Sequence, residues 1–278
     1  MIKIDIAKDA GYCSGVKNAI QLAFDAAEKY GIVYMLGDIV HNESVVNDLA
    51  EKGVVVVKSI DDIPNESHVL FRAHGTISEL WDIAREKKLN IIDATCPLVH
   101  EIHREAIDLS NESRQIVVIG DQKHDEVIGI ASKTDNPIIV SSPDDAEELR
   151  KYKKIGVVVQ STQLMSNVQA IVRVLLNKTH DLRFVNTICH PTTRNQEQIV
   201  ELANNSDVVV VIGSFTSANS KRLTQLALKN NKNTYQVTCA DELDHEWFVG
   251  VNTIGISAGA STPDYLIEQV KVEILKYN

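Results

Sequence analysis

Cys13 in AGYCSGVKNAI, Cys96 in DATCPLVHEI and Cys189 in NTICHPTTRN share one setting. Each follows a short apolar run and precedes a polar turn, punctuated by Gly15, Pro97 or Pro191, that leads into a helical pattern. A thiol at the start of a helix ionises more readily than one in water, and a thiolate is a soft metal ligand. Taken singly, a cysteine is more often a small buried hydrophobe. Three in the same context point to a three-thiolate site with its fourth position open, suited to zinc or an iron–sulfur cluster. Cys239 in YQVTCADEL also follows an apolar run, but lacks the Gly or Pro turn and is read as structural.

Three histidines recur in polar turns after apolar runs: His41 in GDIVHNES, His74 in FRAHGTIS and His124 in GDQKHDEV. Imidazoles gathered on one rim can bind an anion or a metal. The remaining histidines, His68, His100, His103, His180, His190 and His245, lack this context and are read as surface or internally satisfied residues. Glu126, two residues after His124, is a candidate proton donor, because a carboxyl taken out of water holds its proton more readily. A surface glutamate opening a helix is the plain alternative. Hydroxyl- and amide-rich turns, QSTQ at 160–163, HPTTRNQ at 190–196, GSFTSANS at 213–220 and AGASTPD at 258–264, can wrap phosphate oxygens without much positive charge. None matches a P-loop, and such residues also merely cap helices. With the histidines they suggest a small phosphorylated ligand.

The elements that must position these groups are legible as alternation. Short β-branched runs (IKIDIA, IVYML, VVVV, VLFRA, NIIDA, QIVVIG, PIIVSS, IGVVVQS, LRFVNT, DVVVVIG, TYQVT and TIGISAG) alternate with amphipathic stretches, which predicts an α/β fold of parallel strands and crossover helices. IAKDAGYCSGVKNAIQLA, IIDATCPLVHEIHREAI and FVNTICHPTTRNQEQIV follow one plan, and their cysteines are 83 and 93 residues apart, about the length of a small α/β unit. Three similar lobes are expected: 14–96, 97–189, and 190–278 joined by 1–13. A single large doubly wound sheet is the alternative. Ligands in such folds gather at the carboxyl ends of strands.

A chain of 278 residues, 44% of them hydrophobic, has ample material for a core. Its net charge of −10, with both signs interspersed, argues against a nucleic-acid surface. The charged N-terminal stretch MIKIDIAKDAG lacks the apolar run of a secretory signal, and no segment has the roughly twenty apolar residues of a membrane helix. A cytoplasmic location with reduced cysteines is expected.

The ordered motifs GYCSGV, HNE, RAHG, DATCPLV, GDQKHDEVIG, TICHPTTRNQ, GSFTSANSKRL and SAGASTPD resemble the 4-hydroxy-3-methylbut-2-enyl diphosphate reductase family of the non-mevalonate isoprenoid pathway, from residue 11 to about 265. The resemblance implies three lobes around a [4Fe–4S] cluster held by Cys13, Cys96 and Cys189, with one iron open to the substrate hydroxyl. It implies substrate binding by His41, His74, His124, Ser161, Thr162, Ser217, Asn219 and Ser261, and a proton from Glu126. It further implies a ferredoxin or flavodoxin donor, a monomer or weak homodimer, and reductive dehydroxylation to isopentenyl and dimethylallyl diphosphate. Three positions depart from the family pattern: Ser161 stands for a threonine, Ala218 for the second serine of the phosphate turn, and Arg194-Asn195 for Asn-Arg. The residues alone leave two rivals, a zinc-dependent phosphate-ester hydrolase and a non-catalytic iron–sulfur redox sensor with Cys239 as fourth ligand.

Overall fold

The computed structural model describes residues 2–277. The chain opens with β1 (Lys3–Ile6), α1 (Ser14–Tyr30), β2 (Val33–Leu36), α2 (Glu43–Ala50), β3 (Val54–Val57), β4 (His68–Phe71), α3 (Ser78–Glu86) and β5 (Asn90–Asp93). It continues through α4 (Pro97–Asn111), β6 (Gln115–Ile119), α5 (Asp125–Ala131), β7 (Ile138–Val140), α6 (Pro143–Glu147), β8 (Tyr152–Val159), α7 (Met165–Leu175) and β9 (Thr179–Phe184). Then follow α8 (His190–Asn205), β10 (Val208–Ile212), α9 (Ala218–Asn230), β11 (Thr234–Val237), β12 (Thr253–Ala258) and α10 (Asp264–Lys276). Every apolar run singled out in the sequence overlaps one of these strands, though β4, β8 and β9 begin one to three residues before their runs.

The strands form three separate four-stranded sheets, ordered β3-β2-β4-β5, β7-β6-β8-β9 and β11-β10-β12-β1, rather than one large sheet. All pairings are parallel. The three orders are one pattern: the first strand of the set lies inside, its successor on one edge, the third and fourth on the other side. In the last sheet the outermost strand is β1, supplied by the chain's N-terminal segment and paired Lys3 to Thr253 through Ile6 to Ile256.

By contacts the chain divides into two compact units, Met1–Lys17 with Val40–Asn47 and His190–Asn278, and Asn18–Ile39 with Asp48–Cys189. The first holds the β10 sheet; the second holds the other two. Within each sheet the continuous apolar runs are explained by burial on both faces. In β10, Val208, Val210 and Ile212 pack with α10, whereas Val209 and Val211 pack with Ile199 of α8 and Leu223 of α9. β6 divides likewise, Val117 and Ile119 toward Val168 and Ile171 of α7, Ile116 and Val118 toward Ile102 and Leu109 of α4. Among the described residues no helix is long and apolar enough to cross a membrane.

One close approach shapes the loops after β10 and β12. Ser220 of α9 is fully buried, and a Cβ placed on either Gly213 or Gly259 would stand 2.2 Å from its Oγ. Gly259→Ala should therefore cost about 1–3 kcal/mol, the usual range for overpacking. The added Ser220→Ala, which removes the colliding oxygen, should restore most of the loss in chemical denaturation. Failure of that rescue would show that the collision is not the cause.

Candidate functional site

Strand order sorts the predicted residues. In each sheet a crevice opens where the connections of the two inner strands diverge, at their carboxyl ends. His41 follows β2 and His74 follows β4; His124 and Glu126 follow β6, and Ser161 and Thr162 follow β8; Ser217 and Asn219 follow β10, and Ser261 follows β12. Cys13, Cys96 and Cys189 follow β1, β5 and β9, the edge strand lying beside the third strand of each set. Each cysteine is pinned to the neighbouring inner turn by its backbone: Cys96 N–H donates to Ala73 O at 3.0 Å, Cys189 N–H to Ser161 O at 3.0 Å, and Cys13 N–H to Ala260 O at 3.4 Å. The acceptors are the residue before His74, Ser161 itself, and the residue before Ser261. A cysteine and a polar candidate residue are thus delivered together by every sheet.

In the second unit, Cys96 is the N-cap of α4 with Pro97 in the first turn, and its thiol makes no capping hydrogen bond. Proline suits that position because the amide it lacks would be unpaired there. His124 is the N-cap of α5, and its Nδ1 accepts the Glu126 N–H at 3.2 Å. With Nδ1 accepting, the neutral ring carries its proton on Nε2. The His74 ring meets it edge to face, centroids 5.6 Å apart. Glu126 is only 1% exposed. Its Oε1 accepts the Ser161 N–H at 2.6 Å and its Oε2 the Ser161 hydroxyl at 2.9 Å, so the surface-glutamate alternative fails. Ser161, expected as a substrate contact, directs its hydroxyl to Glu126 here. Thr162 Oγ1 accepts from Gln160 Nε2 at 3.2 Å, while Gln160 Oε1 accepts the Asp121 N–H at 3.0 Å.

Two holding groups escaped sequence reasoning. Arg72 Nη1 donates to Asp125 at 2.7 Å, tying the residue two before His74 to the one between His124 and Glu126. His103, read as a satisfied histidine, is 93% buried by complement of its 7% exposure, and its Nε2 has no partner among the described residues. Its ring fills the space beside Gly75, whose positive φ of 84° and a would-be Cβ 2.9 Å from His103 Cε1 leave room for glycine alone. Burial, with the Lys133 and His100 charges beside it and Asp93 opposing, lowers His103 to about 4. The folded state therefore holds this ring neutral while the unfolded chain takes up a proton below about 6.5. Stability should be complete above that pH and fall by at most about 3 kcal/mol as pH drops to 4. Denaturant midpoints at pH 7 and 4.5 should show a larger drop for the wild type than for His103→Gln; equal drops would refute the assignment.

In the first unit, the Cys13 Sγ accepts the Val16 N–H at 3.5 Å, at the start of α1. Asn42 Oδ1 accepts the Val45 N–H at 3.3 Å and so caps α2, and Glu43 Oε1 accepts the Ser214 hydroxyl at 2.7 Å. The HNE motif thereby fixes His41 against the turn before Ser217, and Ser261 Oγ donates to His41 O at 3.1 Å. Ser217 caps α9, accepting the Ser220 N–H at 3.3 Å. Asn219 is 6% exposed, yet neither amide atom of its side chain has a partner among the described residues. An amide so placed, at the N-terminus of a 13-residue helix, has hydrogen-bonding capacity to spare. Arg194 pairs with Asp9 at 3.1 Å, and Asn195 Nδ2 donates to Ala258 O at 3.1 Å, so the departures at these positions carry structural bonds. Cys239 precedes a short 3-10 turn, and none of the four cysteines is in a disulfide.

Three small parallel sheets, each presenting a cysteine and polar strand-end turns, define an α/β protein of three like sheets with its candidate residues at the strand ends. The chain belongs to the LytB protein family, whose sequence model matches residues 4–275. It is 41% identical over 278 residues to the 4-hydroxy-3-methylbut-2-enyl diphosphate reductase of Geotalea uraniireducens, covering 100% of this chain and 98% of the relative. It is 42% identical over 270 residues to that of Geobacter metallireducens, covering 97% and 95%. Among solved structures, the E-1-hydroxy-2-methyl-but-2-enyl-4-diphosphate reductase of Plasmodium falciparum matches with TM-score 0.93 and 30% identity over 100% of this chain and 88% of that one. A structure of (E)-4-hydroxy-3-methyl-but-2-enyl diphosphate reductase, the terminal enzyme of the non-mevalonate pathway, matches with TM-score 0.73 and 37% identity over 99% and 100%.

Proposed function

We propose that this reductase converts (E)-4-hydroxy-3-methylbut-2-enyl diphosphate to isopentenyl and dimethylallyl diphosphate, and that its lobes are 14–96, 97–189, and 190–278 with 1–13. The observation that carries the reading is the repeated delivery of one cysteine beside one polar ligand turn at every sheet, with a single buried carboxyl, Glu126, among them. Among the described residues no three His, Cys, Asp or Glu side chains form a ready metal site. The donors suit an iron–sulfur cluster by their chemistry: soft sulfur ligands outside any disulfide, following the edge strands, Cys13 taking an amide hydrogen bond from the helix that follows. Cys13, Cys96 and Cys189 would hold a [4Fe–4S] cluster. That group would relay the donor's two electrons one at a time and would serve as Lewis acid for the departing hydroxyl.

The chain's own residues do the rest. Asn219, Ser217 and Ser261 bind the diphosphate, aided by the N-terminus of α9. His41, His74 and His124 orient the allylic alcohol, His124 donating from Nε2. Glu126, held by Ser161, gives its proton to the departing oxygen so that water leaves rather than hydroxide. A second proton, added at an allylic carbon, completes the isopentenyl or dimethylallyl product; Glu126 is reprotonated from solvent, and the two electrons come from a ferredoxin or flavodoxin.

Anaerobic purification tests the reading against its rivals. A brown protein with iron and sulfide, whose cluster survives Cys239→Ser, is expected. A colourless zinc protein would support a hydrolase, and cluster loss on Cys239→Ser would support a fully ligated sensor.

A further inference from the structure

We propose that the second unit carries a separate binding site for a phosphate-bearing anion, between α3 and α4 and beside the turn that follows His74. A cavity of about 560 Å³ opens there, walled by Trp81 and by Thr76, Thr95, His103, Arg104 and Lys133. That volume is in the range of small-molecule sites.

The charges on its wall are unevenly spent. Asp82 is engaged by Arg85 at 2.8 Å, and Asp93, close behind, by His100 at 3.0 Å and by the Thr95 N–H at 3.0 Å. Arg104 and Lys133 make no ion pair among the described residues. Lys133 is half-buried, with its ammonium fixed by donation to Thr76 O at 3.0 Å and Ser78 Oγ at 3.2 Å. Burial pushes it below the usual lysine value, with Asp93 opposing. Cations taken out of water are ordinarily paired, and one N–H of this ammonium is left to donate.

The His103 ring closes the floor of the same cavity, its enclosed Nε2 lying beside Gly75 and Gly129. The Lys133 ammonium N–H and the Arg104 guanidinium fork are the donors that an oxyanion in the cavity would satisfy, and the guanidinium fork matches phosphate geometry. The Trp81 ring offers an apolar wall for whatever carries the phosphate. No reductase chemistry is required of the site, so the inference stands apart from the proposed reaction.

The test uses the full-length holoprotein with inorganic diphosphate as probe. Trp81 and Trp247 are the two tryptophans, so a Trp247→Phe background makes Trp81 the sole reporter. A saturable change in Trp81 emission is expected, retained when Asn219→Ala disables the α9 position. Arg104→Gln, an exposed substitution that threatens no packing, and Lys133→Met should each weaken it by about tenfold, the scale of one charged hydrogen bond. No saturable change up to about 10 mM, far weaker than a functional site, would overturn the proposal. So would a response that Arg104→Gln leaves unaltered, or one that Asn219→Ala abolishes.

Discussion

Glu126→Gln should lower turnover by about two to four orders of magnitude, the range for losing a positioned general acid, with iron content and cluster spectrum unchanged. Glutamine keeps the length and shape of the side chain. Its carbonyl oxygen can still accept the Ser161 N–H, and its amide can donate to the Ser161 hydroxyl, which is able to accept. The buried geometry should survive, and the ionisable proton alone is lost. Ser161→Ala removes one of the two bonds that hold the carboxyl and should cost less, about tenfold, because the backbone N–H remains. Ser161→Thr keeps the hydroxyl and should stay near the wild type. Single-turnover rates would order these variants. Equal rates for wild type and Glu126→Gln would remove Glu126 from the chemistry.

The second large effect is expected at the cysteines. Cys13→Ser, Cys96→Ser and Cys189→Ser should each lose the cluster and all detectable turnover, since a serine hydroxyl stays protonated near neutral pH and is a hard ligand. The fold should not suffer. Cys96 is an N-cap without a capping hydrogen bond, and serine is among the best residues for that place, so the metal-free Cys96→Ser protein should be as stable as the metal-free wild type or more so, by up to about 1 kcal/mol. Iron and sulfide analysis beside thermal melts would separate the two effects. A variant that kept its cluster would show that the altered cysteine is not a ligand.

The strands were legible because their runs are β-branched, short and bounded by turn residues, and because strands covered on both faces need no alternation. VVVVI of β10 is the plainest case. The repeated plan around Cys13, Cys96 and Cys189 announced three sheets. The pairing of β1 with β12 follows that repeat, although the two strands are about as far apart in the chain as possible. What local pattern does not encode is which strand lies at an edge, and it is strand order that divides the cysteines from the histidines and hydroxyls.

The supporting groups were illegible for a related reason. Arg72–Asp125, Glu43–Ser214 and Asn195–Ala258 join residues 53, 171 and 63 positions apart, and charged or amide side chains in turns look alike until the fold selects their partners. Ser161 was recognised by its motif, whereas its grip on Glu126 depends on β6 and β8 lying side by side. His103 looked ordinary because the space it fills is defined by an absent side chain, that of Gly75.

The central claim is that strand-end cysteines and a buried glutamate together perform a reductive dehydroxylation. Its most direct test is anaerobic incubation of the cluster-loaded protein with (E)-4-hydroxy-3-methylbut-2-enyl diphosphate and a chemically reduced viologen, with products identified by mass and retention. Isopentenyl and dimethylallyl diphosphate should form with two electrons consumed per substrate. Unchanged substrate, or release of inorganic phosphate without oxidation of the viologen, would contradict the account.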